Sequence, residues 1–224
     1  MFYARLNKIK LFNNREGFPG SLNCAELRVY SYVAGGSPGT AGASLSDLMG
    51  LPDGAARKQR LLDAVIAESG RFAQSRDLAI NGVKNDQALL FGDAGLVIFS
   101  NAHIPAVLDI RLWVIESDED ARAFALDIDK VLDSAAFKGM IAAVEGALLI
   151  ANPVLSGAIA VGSVVINLLR QKLRSNKDDL VGYWQATLFR EQDYPHGARD
   201  RQDVYDTTGN MLVDYTLFGY ENNV

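Results

Sequence analysis

Short runs of alternating or apolar residues, each closed by a cluster of turn formers, constrain this chain more than any other feature. Residues 2–12 carry Leu6, Ile9, Leu11 and Phe12 and stop at Asn13-Asn14-Arg15-Glu16-Gly17. Residues 25–33 set Leu27, Val29, Ser31 and Val33 against Arg28, Tyr30 and Tyr32, which predicts a half-buried antiparallel strand. Residues 88–91, 96–99 and 110–115 read as further strands, separated by Gly92-Asp93-Ala94-Gly95 and by Asn101-Ala102-His103-Ile104-Pro105. Residues 181–190 and 211–220 complete the set, and residues 34–44 read as a Gly-rich loop. Strands this short with turns this frequent favour a mainly β, antiparallel β-sandwich over a parallel βαβ sheet. At 224 residues the chain is read as one domain.

Two segments break the strand pattern. Residues 55–74 carry Leu61, Leu62, Val65 and Ile66 on one helical face, which predicts a surface helix. A larger interruption, 117–175, reads as an inserted helical hairpin. Ser117 with Asp118, Glu119 and Asp120 suits a helix start, since a hydroxyl can cap free N–H groups and carboxylates suit the positive end of the dipole. Apolar residues then recur at helical spacing toward Ile150, and Asn152-Pro153 marks an end and a new beginning. Arg170, Lys172 and Arg174 suit the negative end of the second helix.

Residues 147–169 hold no charge, a length near the roughly 20 residues that span a bilayer. Asn152-Pro153 cuts that run near its start, and Ser156, Ser163 and Asn167 lay a polar stripe along it. A hairpin that packs on the sandwich or on a second copy, or whose tip meets a membrane surface or a partner chain, is therefore expected in place of a span. Leu148, Leu149, Ile150, Val154 and Leu155 would make that contact. At roughly 1.5 to 3 kcal/mol per buried aliphatic side chain, four or five of them would supply on the order of 6 to 15 kcal/mol before ordering costs.

The segments flanking the insertion carry carboxylates. Leu112-Trp113-Val114-Ile115-Glu116-Ser117-Asp118 precedes it and Asp178-Asp179-Leu180-Val181-Gly182 follows it. Glu116 and Asp118, two apart on an extended chain, share a face. Rejoined, the two segments resemble the third calcium loop of a C2 domain, the calcium-dependent, lipid-binding β-sandwich family. The resemblance implies a calcium site formed by Glu116, Asp118 and Asp179, with Glu16 and Glu26 from the first loop as further ligands. Several anionic oxygens suit calcium, which takes six to eight oxygen ligands. It also implies an apolar third loop that dips into lipid. The helices at 55–74 and 117–174 depart from that family's pattern. Helix capping by Asp118, with Asp178 and Asp179 in a solvated turn, accounts for the same residues without a metal.

Composition narrows the partners. With 22 Lys and Arg against 27 Asp and Glu the net charge is -5, which disfavours nucleic acid as a partner. One cysteine, Cys24, leaves no internal disulfide, and the first fifteen residues lack the apolar core of a secretory signal, so a cytoplasmic setting, peripheral at a membrane, is expected.

Residues 193–210 form a polar stretch with His196 among Asp193, Asp200, Asp203 and Asp206. It reads either as a hydrolase site pairing His196 with an Asp, or as an ordered loop whose Asp side chains accept backbone hydrogen bonds. No nucleophile or phosphate-loop motif accompanies it. Three roles are thus expected in order: a calcium-dependent lipid-binding module without catalysis, an assembly module whose hairpin packs on a partner chain or a second copy, and a hydrolase.

Overall fold

Two antiparallel sheets, filled in alternation along the chain, make up the computed structural model, which describes residues 1–14, 24–36, 73–116 and 180–221. Strand β1 (Phe2–Leu11) belongs to the first sheet, and β2 (Ala25–Gly36) and β3 (Ala73–Val83) to the second. The chain returns for β4 (Ala88–Leu90) and β5 (Leu96–Asn101), then crosses again for β6 (Val107–Glu116) and β7 (Leu180–Phe189). A short helix α1 (Arg190–Asp193) leads back to β8 (Ala198–Tyr205) and β9 (Met211–Gly219).

In the first sheet β1 pairs with β9 along one side, while on its other side β5 takes the first half of the strand and β4 the second. The second sheet runs β3-β2-β6-β7. Period-two alternation places Leu27, Val29 and Val33 of β2, Leu108, Ile110, Leu112 and Val114 of β6, and Trp184 and Leu188 of β7 on the inward face. They meet Phe2, Leu6, Ile9, Phe99, Met211, Val213, Tyr215 and Leu217 from the first sheet in one core. The Trp184 ring lies 4.9 Å from that of Tyr215 across the two sheets. Gly182 lets β7 approach β9, since a Cβ there would stand 3.0 Å from the sulfur of Met211.

The antiparallel sandwich expected from alternation is present. Several local expectations are corrected. Strand β2 continues through Gly36, so residues 34–36 are not loop. Ala73 and Gln74 open strand β3, so they are not helical as expected; the rest of the expected helix 55–74 lies outside the described residues, as does the expected hairpin 117–175. Residues 198–205 of the polar stretch form an edge strand. Strand β2 is also buried on both faces where a half-buried strand was expected. Tyr30, Tyr32, Trp113 and Ile115 point away from the other sheet and are nonetheless only 6, 7, 3 and 5 % exposed.

Candidate functional site

The ladder that ends β6 and opens β7 fixes where the insertion is rooted. Ile115 pairs with Leu180, so these two lie side by side although 64 residues separate them in the chain. Glu116, the last residue of β6, stands opposite Leu27 of β2 and is half-buried. Glu26 is exposed at a bulge, where the β2–β3 register shifts between Ala25 and Leu27. A bulge re-aims the side chain it carries. Glu116 and Glu26 therefore lie on neighbouring strands at one end of the sandwich, with Glu26 in β2 and not in a loop. Asp118, Asp179, Glu16 and the apolar residues Leu148, Leu149, Ile150, Val154 and Leu155 lie outside the described residues. Among the described residues no group of three or more His, Cys, Asp or Glu side chains is placed to hold a metal ion, and no helix is long and apolar enough to cross a membrane.

A network of side chains bonded to backbone holds this end together. The turn from Asp206 to Asn210 joins β8 to β9, with Gly209 in the left-handed region at φ 71°. Asp206, 6 % exposed, accepts hydrogen bonds from the backbone N–H of Tyr183 (2.9 Å), Asn210 (3.0 Å) and Met211 (3.0 Å) and from the Thr208 hydroxyl. Thr207 donates its backbone N–H and its hydroxyl to the Tyr183 carbonyl. Asn210 donates through Nδ2 to the carbonyls of Asn13 and Val181. Asn14 donates through Nδ2 to the Val83 carbonyl, and its backbone N–H donates to Oδ1 of Asn85. These bonds tie the end of β1, the β3–β4 turn and the start of β7 to a single platform.

The same end carries an aromatic pair. The Phe12 and Tyr205 rings stack 6.2 Å apart, Lys10 Nζ lies 5.5 Å from the centre of Phe12, and Tyr205 is 65 % exposed. A ring pair with a cation on one face combines apolar area with a charge that stays in water.

A second polar cluster lies on the outward face of the β3-β2-β6-β7 sheet. Arg111 Nε bonds Oδ2 of buried Asp109 at 2.7 Å, and Thr187 donates its hydroxyl to Oδ1 at 2.8 Å. Tyr32 stands opposite Arg111, and burial pushes its hydroxyl well above the usual tyrosine range, a shift that Arg111 partly opposes. This is a satisfied buried ion pair.

At the opposite end lie the residues weighed for hydrolysis. Tyr194 is fully buried, donates its hydroxyl to the Pro105 carbonyl at 2.9 Å and packs 5.7 Å from Phe2. His196 is exposed, and among the described residues no hydrogen bond or ion pair joins it to a carboxylate. Asp193 instead holds Arg199 and the backbone N–H of Phe189. Asp206, at the far end of β8, accepts backbone bonds as the ordered-loop reading expects.

Sequence reasoning missed the platform. Its signal was the cluster Asp206, Gly209 and Asn210 at the end of the polar stretch, which marks a turn but not what the turn grips. The chain matches no protein-family model, no curated protein and no solved structure.

Proposed function

We propose that the chain is a C2-like module that binds a membrane surface under the control of calcium, acting by binding and not by catalysis. The pairing of Ile115 with Leu180 carries this reading, because it roots both ends of the long apolar insertion at one end of the sandwich. The end of β1 and the start of β2 lie at that same end, so the stems of every segment bearing Glu16, Glu26, Glu116, Asp118 and Asp179 converge there. Calcium bound by these carboxylates would remove negative charge that otherwise repels an anionic bilayer. Leu148, Leu149, Ile150, Val154 and Leu155 supply the apolar contact, and Arg170, Lys172 and Arg174 the attraction to anionic headgroups. The Phe12–Tyr205 pair beside Lys10, with Tyr205 exposed, suits a headgroup layer at the same end.

Co-sedimentation with anionic liposomes tests this, in calcium and again in excess chelator. Pelleting that requires calcium and is lost in Asp118→Asn with Asp179→Asn supports the reading. Calcium-independent pelleting removes the ion from it, and no pelleting in either condition moves the apolar segment to a protein partner or a second copy. A bound ion also stabilises the fold by about 2.7 kcal/mol at one hundred times its dissociation constant. The wild-type chain is thus expected to melt higher in calcium and the double variant to be indifferent to it.

A further inference from the structure

We infer that the open edge of β7 takes an extended peptide carrying a carboxylate at its centre, an interaction independent of the calcium reading above. One side of the sandwich is closed by the Gln74 amide of β3, bonded to the Ser100 backbone of β5. On the other side β7 and β8 are the edge strands, and ties hold them at two ends. At one end Asp206 accepts the Tyr183 N–H, and Thr207 donates to the Tyr183 carbonyl. At the other, Asp193 accepts the Phe189 N–H at 2.8 Å and pairs with Arg199. Between these ties no hydrogen bond joins β7 to β8 among the described residues.

The β6–β7 ladder fixes which backbone groups face that gap. The Arg190 N–H donates to the Ala106 carbonyl, so Trp184, Ala186 and Leu188 turn their backbone groups to β6, and the residues between them turn theirs outward. The bonds of the Tyr183 and Phe189 N–H groups to the two aspartates agree with this. Gln185 and Thr187 are left with unpaired N–H and C=O groups on an exposed edge. Edge β3 carries Arg76 and Asp77, and edge β8 carries Asp200, Arg201 and Asp203, whereas β7 has no charged side chain to deter a partner strand.

A stretch of about three residues fits between the ties, its outer residues bonded to the backbone of Gln185 and Thr187. Its middle residue then stands opposite Ala186, whose small side chain lies on the inner side with Trp184 and Leu188 and leaves room. Arg201 points to that same inner side, because it stands opposite buried Tyr215, and the Tyr215 ring lies 4.9 Å from that of Trp184. Arg199 is paired with Asp193, but Arg201 is exposed and makes no ion pair among the described residues. A carboxylate on the middle residue supplies its partner. Uncharged residues suit the two ends of the stretch, where Asp206 and Asp193 stand.

The test uses the intact chain and two blocked peptides, Thr-Val-Glu-Val-Thr and Thr-Val-Lys-Val-Thr, followed by amide hydrogen exchange and amide chemical shifts. In the chain alone the Gln185 and Thr187 amides should exchange fast and the Ala186 amide slowly. Protection of Gln185 and Thr187 that grows with protein concentration would put a second copy on this edge. Protection independent of concentration would mean that the chain itself closes it, and either result overturns the inference. The Glu peptide should protect both amides and leave those of the β3 edge unchanged. The Lys peptide should bind about ten-fold more weakly, the scale of one charge-assisted hydrogen bond, and Arg201→Glu should reverse the order. Equal binding of the two peptides, or no binding at these amides, overturns the inference. Gln185→Pro removes an edge N–H and leaves the bonds to β6 in place, so it should abolish binding, and unchanged binding would rule out strand addition. Should either variant not fold, the two peptides compared on the wild-type chain still decide.

Discussion

Ser31, 3 % exposed, points into the sandwich from β2 between Val29 and Val33, and its buried Oγ has no hydrogen-bond partner among the described residues. A buried hydroxyl in that position has lost water and gained nothing in return. Ser31→Ala is therefore expected to stabilise the chain by about 1 kcal/mol, since the removed group carries only a desolvation cost. Thr187 presents the opposite case. Its hydroxyl supplies one of the donors to buried Asp109, so Thr187→Val should destabilise by about 1 to 3 kcal/mol through the acceptor left behind. Chemical denaturation of the two variants reads both signs. A loss of stability in Ser31→Ala would mean that the hydroxyl has a partner in solution.

At the scale of elements, the strands hardest to read in the sequence are the sheet edges. Strand β3 reads Ala-Gln-Ser-Arg-Asp and β8 reads Ala-Arg-Asp-Arg-Gln-Asp, compositions that suggest a helix end and a loop. Both are edge strands, where charged side chains guard against pairing with other chains and one neighbour already satisfies half the backbone. Central strands such as β6, with Leu108, Ile110, Leu112 and Val114 inward, announce themselves by alternation. The candidate site divides in the same way. Glu116 at the end of β6 was legible because a strand run ends there, whereas Asn210 bonds Asn13, 197 residues away, as well as Val181, 29 residues away, which no local pattern records.

Edge β3 also shows how the sandwich closes on that side. The Gln74 amide donates through Nε2 to the Ser100 carbonyl at 2.6 Å and accepts the Ser100 N–H at 3.0 Å, taking the place of a strand neighbour between β3 and β5. Gln74→Ala is expected to cost about 1 to 2 kcal/mol. Gln74→Glu should cost more at neutral pH, because a carboxylate oxygen would face the Ser100 carbonyl. Protonation turns that oxygen into a donor, so the folded chain raises the carboxyl's pKa above its unfolded value of about 4.3. Stability of this variant should then recover as pH falls toward that value, relative to Gln74→Ala at each pH. A Gln74→Glu variant as stable as wild type at neutral pH would refute the bridging geometry.

For the molecule as a whole, burial of tyrosine hydroxyls sets the alkaline limit of the fold. Burial raises Tyr32, Tyr194 and Tyr215 above the ordinary tyrosine value of 10.0, with nearby Arg111, Arg190 and Arg199 opposing the shift in turn. Lys8 is raised too, chiefly by its hydrogen bonds to Asp214 and Asp203. Each group keeps its proton in the folded chain at a pH where the unfolded chain releases it. The unfolded state then binds fewer protons, so stability falls as pH rises. These contributions are complete below the unfolded values, begin to fade near pH 10, and are gone above the folded ones. The slope approaches about 1.4 kcal/mol per pH unit for a tyrosine raised well above its unfolded value, as Tyr32 and Tyr194 are, so these two together remove about 3 kcal/mol per unit, a large part of the 5 to 15 kcal/mol typical of a folded domain. Unfolding should therefore be abrupt, and the buried tyrosines should ionise with it and not before. Tyrosinate absorbance followed beside near-ultraviolet circular dichroism checks this, and Tyr32→Phe should flatten the slope by the share of one group. If all the tyrosines ionised smoothly around pH 10 while the dichroism held, the hydroxyls would be open to water in solution, and the burial of Tyr32 on the outward face of β2 would have to be abandoned with them.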